Sequence, residues 1–351
     1  MANAASEIPE LFANDTRLGA ALSNVACAAI NNGLFEQEVD TGEEIRLRFG
    51  VRANAIGHEF FAENAETGEE VPLNEQQARK TRSGLSIKLN EFRKLRPSQP
   101  ILKPGRRPDQ EFDARSCKFG CIDANTPNSL LKRPVLLRIS GCHLDLAVMP
   151  QLAPLEPVHV LLVPCASGEK LQFPHLDQLL GAPLIEDMVN MAAGAKEWSF
   201  LFNSMHAGAT VRHLHLQALR TSDALPIESA STRTEQGWRF IDDSRFPGGG
   251  LVFEPRERAK LIRAVLSLQT QSLPLNLLAS NDKTFLFPRH LEHEIADAFP
   301  FSGFASMEFA GTVYTSSKEA FEHATDANIN AALAQTSLPV AEVLRILNAS
   351  R

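Results

Sequence analysis

The stretch His213-Leu214-His215-Leu216-Gln217 decides the fold and indicates the chemistry of this chain. Side chains alternate along an extended strand, so we expect His213, His215 and Gln217 to share one face while the leucines pack on the other. A neutral imidazole is a good nucleophile toward phosphorus, and a neighbouring glutamine can donate a hydrogen bond to a phosphate oxygen without supplying a proton. The pattern therefore favours nucleotidyl transfer through a covalent histidine intermediate.

Small and polar residues precede this stretch and are candidates for contacts with substrate: Asn203, Ser204, Gly208 and Thr210. A glycine lets the backbone approach a ligand closely, and the hydroxyls of Ser204 and Thr210 can donate hydrogen bonds to oxygen atoms. We expect residues 203–210 to bend around the phosphates. The alternative is a plain hairpin connection between two strands.

These residues resemble the histidine-triad superfamily, in the branch that has glutamine at the third motif position. Within that branch the chain is similar to the GDP-L-galactose/GDP-D-glucose phosphorylase family, in an ordered series of segments from about residue 85 to about residue 315. The matching segments are 88–91, 96–97, 112–113, 118–119, 159–164, 202–219, 247–254, 276–278 and 285–288. An isolated His-x-His would be a weak signal, whereas this series is fairly specific.

The resemblance implies a nucleotidyltransferase of the GDP-hexose phosphorylase type. Such an enzyme transfers the nucleotidyl group of a nucleoside diphosphate hexose to inorganic phosphate, giving hexose 1-phosphate and GDP. The family match implies that His215 is the nucleophile, that His213 orients groups in the site, and that Gln217 stabilises the phosphate oxygens. Asn90 in the Leu-Asn-Glu motif is a candidate substrate contact, and no cofactor is expected.

Two cations outside the histidine motif are candidate phosphate partners, because lysine and arginine neutralise pyrophosphate well. Lys118 belongs to a matching Lys-Phe pair, and Arg289 follows Pro288; a surface position is the alternative for each. The family resemblance predicts glutamine at position 289 in GDP-hexose phosphorylases and arginine in dinucleoside polyphosphate phosphorylases. A dinucleoside polyphosphate phosphorylase is therefore the alternative enzyme, and a non-catalytic nucleotide-binding protein is the alternative of another class.

The order of predicted strands and helices indicates an α+β fold, with an antiparallel sheet core and packed helices. Apolar spacing predicts helices over 10–35 and 318–334, and a helix over 179–195 lies between short apolar strands and the paired strands 198–203 and 212–219. A similar order without His-x-His recurs after residue 250. We expect one histidine-triad-like domain over residues 1–351, with a catalytic half at about 85–220 and a degenerate second half at about 245–351.

Charge and composition exclude several classes of protein. The 351 residues are 44% hydrophobic and carry a formal charge of −7, which opposes binding to nucleic acid or to an anionic membrane. Residues 79–107 nevertheless contain ten Lys and Arg against a single acid, Glu91, which fits either an anionic small-molecule pocket or a solvated loop. Without a signal peptide or membrane span in the pattern, we expect a cytoplasmic protein. The oligomeric state stays open, and a homodimer is compatible with the sequence.

The five cysteines are an odd number and do not resemble a disulfide framework. Cys117, Cys121, Cys142 and His143 are residue types that bind zinc. The three-residue separation of the first two is not the common two-residue spacing of zinc sites. We therefore expect reduced, buried thiols and no metal.

Overall fold

The computed structural model describes residues 10–40, 46–55, 57–71, 77–95, 114–126, 129–141, 144–166, 171–221, 223–291, 295–299 and 303–349. The strands are β1 (Glu10–Phe12), β2 (Gln37–Asp40), β3 (Arg46–Asn54), β4 (Gly57–Asn64), β5 (Gln77–Lys80), β6 (Ser86–Leu89), β7 (Leu137–Ser140), β8 (Asp145–Pro150), β9 (His159–Cys165), β10 (Trp198–Asn203), β11 (Leu216–Arg220), β12 (Thr232–Glu235), β13 (Trp238–Ile241), β14 (Leu251–Phe253), β15 (Leu275–Ser280), β16 (Lys283–Pro288) and β17 (Thr312–Thr315). The α-helices are α1 (Leu18–Asn31), α2 (Ala182–Gly194), α3 (Arg258–Thr270), α4 (Ser306–Phe309), α5 (Lys318–His323), α6 (Asp326–Thr336) and α7 (Val340–Ala349).

Within these ranges, eleven strands form one sheet in the order β1-β7-β8-β9-β11-β10-β15-β16-β14-β13-β12. Every neighbouring pair in it is antiparallel except β1 and β7. Two three-stranded sheets, β17-β6-β5 and β2-β3-β4, complete the strands. The predicted α+β fold with an antiparallel sheet core and packed helices is confirmed.

The large sheet contains the same arrangement twice. In the first half, β8, β9, α2, β10 and β11 follow one another in the chain, and their strands lie in the order 8-9-11-10. In the second half, β13, β14, α3, β15 and β16 give the order 13-14-16-15. The halves meet where β10 pairs with β15, with Asn203 opposite Asn276. The residue limits predicted for the two halves stay a prediction.

The two faces of the sheet are covered differently because side chains alternate along each strand. On β9, Val160 and Leu162 belong to the main core with helices α1, α2 and α3. Leu161 and Val163 face the other way and pack with Cys117 and Phe119. The second face is therefore the one on which the histidine motif and the turn around Phe119 meet.

Some predicted helices differ from those observed. A helix from Glu10 to Phe35 was expected from apolar spacing, but Glu10–Phe12 pairs with β7 as an edge strand and the helix begins at Leu18. The expected helix 179–195 is α2, which begins at Ala182 with a proline in its first turn. A single helix over 318–334 is wrong, because α5 ends at His323 and Thr325 caps a new helix, α6, through its hydroxyl.

None of the helices described above is long and apolar enough to span a bilayer.

Candidate active site

The two histidines of the motif lie immediately before strand β11 and not within it. The strand begins at Leu216, so the predicted extended strand over 212–219 starts too early. The backbone of the preceding residues pairs elsewhere: the Leu214 N–H donates to the Leu176 carbonyl at 2.7 Å. Gln217 is within the strand, opposite Leu161 of β9 and Leu201 of β10.

Gln178 holds the backbone on both sides of the motif. Its side-chain carbonyl accepts the His215 N–H at 2.9 Å, and its Nε2 donates to the carbonyls of His215 at 3.1 Å and Asn203 at 2.9 Å. A buried side-chain amide thus replaces the strand partner that His215 lacks, since Gln178 is only 2% exposed. Sequence reasoning missed Gln178, because its distance from the motif in the chain gives no signal.

His215 has the geometry of a nucleophile that reacts through Nε2. Its Nδ1 lies 2.7 Å from the His213 carbonyl oxygen, which can only accept, so Nδ1 carries the proton. The lone pair is then on Nε2, which has no hydrogen-bond partner among the described residues. His215 is 6% exposed and His213 is 0% exposed, so His215 is the more accessible of the two.

Burial lowers the pKa of His215 to about 4, and the charge of Arg133 acts in the same direction. The hydrogen bond to the His213 carbonyl opposes this shift but does not cancel it. His215 is therefore neutral near pH 7. A neutral ring is the form that can attack phosphorus.

Phe119 and Arg133 complete one wall of the site. The Phe119 ring lies edge-on to His215, with 5.1 Å between ring centroids, and the Arg133 guanidinium lies 5.3 Å from the centre of the Phe119 ring. Burial lowers the pKa of Arg133 to about 10, so it remains charged at neutral pH. Lys118, the predicted phosphate partner, has an exposed side chain. The structure therefore brings Phe119 of the Lys-Phe pair, and the unpredicted Arg133, to His215.

His159 lies on the same face as Gln217, although the sequence suggested only a residue at the start of a strand. Its Nδ1 accepts the Leu155 N–H at 2.9 Å, so the neutral ring carries its proton on Nε2. Burial lowers the pKa of His159 to about 3, with the charge of Arg93 adding to the effect and the Gln217 side chain opposing it. Gln217 is thus the neighbour to which the His159 ring can present an N–H.

Asn203 and Ser204 are connected to the second half of the sheet. Asn203 Oδ1 accepts hydrogen bonds from Asn276 Nδ2 at 2.7 Å and from Ser306 Oγ at 2.6 Å. Ser204 Oγ accepts the Leu275 N–H at 2.8 Å. Both predicted substrate contacts therefore fix the turn that follows β10.

Gly208 and Thr210 belong to the same turn as Asn203 and Ser204. Gly208 has φ +98°, and a Cβ there would lie 2.6 Å from Ala305 Cβ, so both conformation and space require glycine. Thr210 is half-buried. The close approach made by Gly208 is to the residues just before α4, and contact of Gly208 or Thr210 with phosphate stays a prediction.

Arg289 lies in the protein interior, with no exposed surface. Its guanidinium donates to Asn276 Oδ1 at 2.6 Å, to the Phe304 carbonyl at 2.6 Å and to the Thr336 carbonyl at 3.0 Å. Asn276 in turn donates to Asn203 and to the Ala207 carbonyl at 2.6 Å. Arg289 thus acts on the turn through Asn276, and direct contact with substrate stays a prediction.

Asn90 is buried and supports the loop before β9. Its Nδ2 donates to the carbonyls of Pro154 and Leu155, each at 3.1 Å. Arg93 donates to the Ala153 carbonyl at 2.8 Å, in the same loop. Arg93 of the basic segment therefore binds a protein group, whereas residues 96–107 and the matching pairs 96–97 and 112–113 lie outside the described residues.

The four cysteines that the structure describes are free thiols, and two of them lie beside the motif. Cys117 Sγ is 3.6 Å from His213 Nδ1, and Cys121 Sγ is 3.5 Å from His175 Nδ1. The side chains of these two cysteines and two histidines, Cys117, Cys121, His175 and His213, could together hold a metal ion. Cys142 and His143, the other zinc-type residues singled out in the sequence, lie outside the described residues.

By sequence, the chain is similar to one protein family and to two curated proteins. The family described as "GDPGP1-like, C-terminal domain" matches residues 224–347. GDP-L-galactose phosphorylase 2 of Arabidopsis thaliana is 30% identical over 53% of this chain and 47% of its own length, and GDP-L-galactose phosphorylase 1 of that plant is 28% identical over 53% and 46%. The chain thus spans about half the length of the curated relatives it matches.

Solved structures show the same fold over nearly the whole chain. Yeast Ap4A phosphorylase Apa2 in complex with AMP has a TM-score of 0.55 at 14% identity, covering 93% of this chain and 97% of that chain. The same protein with Ap4A gives a TM-score of 0.53 at 14% identity, covering 92% and 98%. The relatives by sequence are phosphorylases, and the fold is histidine-triad-like. The chain is thus similar over residues 224–347 to the GDPGP1-like C-terminal domain family and over about half its length to GDP-L-galactose phosphorylases, and it has the fold of the Ap4A phosphorylase structures.

Proposed function

We propose that this protein is a GDP-hexose phosphorylase that works through a covalent nucleotidyl-His215 intermediate. The observation that carries the proposal is the hydrogen bond from His215 Nδ1 to the His213 carbonyl at 2.7 Å. This bond fixes the tautomer in which Nε2 has the lone pair, and Nε2 has no competing partner among the described residues. Gln217 follows on the same face as a donor for phosphate oxygens.

In the first step, His215 Nε2 forms a bond to the α-phosphorus of the nucleotide sugar. The bond from that phosphorus to the bridging oxygen breaks, and hexose 1-phosphate leaves with the electron pair. The ring becomes a cation, because Nε2 now carries phosphorus while Nδ1 keeps its proton. The His213 carbonyl stabilises this charge through the existing hydrogen bond.

In the second step, an oxygen of inorganic phosphate attacks the same phosphorus. The P–Nε2 bond breaks, the electron pair returns to the ring, and GDP leaves when the nucleotidyl group is guanylyl. The ring again has its proton on Nδ1, so no net proton transfer to His215 is needed. The site therefore needs donors that bind phosphate oxygens more than it needs an acid or a base.

Gln217 supplies one such donor, and His159 determines which way its amide points. With its proton on Nε2, the His159 ring offers a donor to the Gln217 carbonyl oxygen, since Nδ1 already accepts from Leu155. His159 Nε2 is buried and makes no hydrogen bond to the described residues, and because leaving a buried N–H without an acceptor costs about 1–3 kcal/mol, we assign the Gln217 carbonyl oxygen as its acceptor in the working enzyme. The Gln217 amide nitrogen is then directed away from His159, toward the place where phosphate oxygens lie.

Arg133 supplies a cation close enough to His215 for its charge to lower the pKa of the ring. Its charge acts on the His215 ring, and its guanidinium packs against Phe119. A charged group in a partly buried site interacts more strongly with phosphate than one in water does. We propose that Arg133, and not the exposed Lys118, neutralises the pyrophosphate of the substrate.

A hexose linked to guanosine diphosphate is the proposed donor because both curated relatives are named GDP-L-galactose phosphorylases. A dinucleoside polyphosphate phosphorylase is the second candidate, and Arg289 favours it by its position in the sequence. Its contacts argue against that role, because Nε and Nη1 of the buried Arg289 donate to Asn276 and to two backbone carbonyls.

The test is to trap the intermediate without the acceptor. Wild-type protein incubated with GDP-glucose in phosphate-free buffer should gain the mass of one guanylyl group, and added phosphate should remove it as GDP. His215→Asn should gain nothing, whereas His323→Asn, at an exposed position in α5, should behave as wild type. An unmodified wild type with every donor, together with turnover by His215→Asn, would refute the nucleophile assignment.

Donor identity is tested by comparing kcat/KM for GDP-glucose, GDP-mannose, GDP-L-galactose, ADP-glucose, UDP-glucose and diadenosine tetraphosphate. We expect guanine donors to be preferred by orders of magnitude, since a site built to pair a base edge leaves its own polar groups unpaired with the wrong base. A preference for diadenosine tetraphosphate would replace the proposed substrate and leave the His215 chemistry intact.

A further inference from the structure

Four side chains from three separate segments meet next to the proposed nucleophile. Cys117 and Cys121 are on the turn that follows residues 114–116, His175 precedes α2, and His213 belongs to the motif. The ligand atoms of all four lie within 4.8 Å of one another. Both thiols and His213 are buried, and His175 is half-buried.

Three of the six distances between these atoms match the edges of a tetrahedron around one ion. Cys117 Sγ to His213 Nδ1 is 3.6 Å, Cys121 Sγ to His175 Nδ1 is 3.5 Å, and the two Nδ1 atoms are 3.3 Å apart. Tetrahedral zinc with bonds of about 2.3 Å to sulfur and about 2.05 Å to nitrogen requires sulfur–nitrogen edges of about 3.6 Å and a nitrogen–nitrogen edge of about 3.3 Å. The three observed edges agree with these values.

A cluster of hydrogen bonds explains the same arrangement less well. Both imidazoles direct Nδ1 toward the common centre, and two facing ring nitrogens can share only one proton. Thiols are weak donors, and the two sulfurs are not joined in a disulfide. A single cation at the centre would satisfy all four groups at once.

We propose that Cys117, Cys121, His175 and His213 form a structural zinc site. Two sulfurs and two imidazole nitrogens are a ligand set that favours zinc among the common divalent ions. Each cysteine would give up its thiol proton on binding, and each histidine would bind as a neutral ring. Because four protein ligands fill a tetrahedral site, no position is left for substrate, and the ion has a structural role.

The site corrects the expectation of unliganded thiols and changes the role assigned to His213. The side chain of His213 becomes a metal ligand, while its carbonyl accepts the hydrogen bond from His215 Nδ1. Phe119, between the two cysteine ligands, packs against His215. Zinc would therefore hold both the residue that sets the His215 tautomer and the turn that covers the ring.

The first experiment measures the metal directly in the full chain. Protein purified without added metal and kept reduced should contain about one zinc per chain by mass spectrometry of the elements. Cys121→Ser should contain at least about tenfold less zinc than Cys165→Ser, a matched control at another buried free thiol. Equal zinc contents in the two variants would overturn the proposal.

The second experiment needs no variant and therefore no assumption about variant folding. Wild-type chain stripped of metal by a chelator and reloaded with Co²⁺ should show the strong visible absorption of tetrahedral cobalt and a thiolate-to-cobalt charge-transfer band. Absence of these bands, or a Cys117–Cys121 disulfide in the native protein, would overturn the proposal. Neither readout involves turnover, so the zinc site can fail or hold independently of the proposed phosphorylase activity.

Discussion

We expect Gln178→Met to lower kcat by far more than the accompanying loss of stability would explain. The substitution keeps the length of the side chain but removes three hydrogen bonds, to the His215 N–H, the His215 carbonyl and the Asn203 carbonyl. At about 1 kcal/mol each, their loss lowers the free energy of unfolding by about 3 kcal/mol. Because His215 would also lose its backbone support, we expect kcat to fall about 100-fold, the effect of a displacement of about 1 Å at a reacting group.

Gln269 offers a matched control for this experiment. Its side chain also clamps backbone, with two hydrogen bonds of 2.8 Å to the N–H and carbonyl of Leu180, but it does not contact His215. Gln269→Met should lower the free energy of unfolding by about 2 kcal/mol and change kcat by less than about threefold. Urea unfolding and steady-state kinetics measure both quantities. If Gln178→Met lowers kcat no more than Gln269→Met does, the clamp does not position His215.

Three further changes test other parts of the structure. Burial raises the pKa of Glu308 from 4.5 to about 7, and the nearby charge of Arg93 acts against this shift, so the wild type should lose about 3 kcal/mol of stability as the pH rises from 4.5 to 7. In urea unfolding, Glu308→Gln should be almost as stable as the wild type at pH 4 and about 3 kcal/mol more stable at pH 8. An equal difference at both pH values would contradict this. Gln217→His should raise hydrolysis relative to phosphorolysis, because a third imidazole can transfer protons to and from water; an unchanged ratio of GMP to GDP among the products would contradict the assigned role of the amide. His159→Phe removes both ring nitrogens and should lower kcat about tenfold with little change in the KM for phosphate; an unaltered kcat would show that His159 does not orient Gln217.

The proposed chemistry of the site could be formulated from the sequence because its central residues are contiguous. His213, His215 and Gln217 lie within five positions, and the turn 203–210 precedes them directly. The α+β fold was predictable for a similar reason, since strand and helix periodicities are local. The predicted start of the strand at residue 212 was wrong, because the His215 N–H donates to the Gln178 side chain and not to a neighbouring strand, and β11 begins at Leu216.

Residues that act from distant segments could not be predicted in the same way. Arg133 and His159 carry no pattern of their own, and only folding places them beside His215 and Gln217. Arg289 shows the opposite difficulty: a charged residue beside a family motif suggested ligand binding, whereas burial among carbonyl groups gives it protein partners. The sequence indicated Cys117 and Cys121 as possible zinc ligands. The histidines that contact them lie far away in the chain, 54 residues from Cys121 and 96 residues from Cys117.

The repeated strand order of the large sheet has a consequence for stoichiometry. The two halves are joined edge to edge by the antiparallel strands β10 and β15. Two identical subunits related by a twofold axis can pair their edge strands in the same way. The sequence, however, contains His-x-His only once, and the second half meets the first by supporting its turn through Asn276. Under the proposed mechanism, duplication of the architecture without duplication of His215 means that each chain holds at most one nucleotidyl group, whatever the number of chains in the assembly.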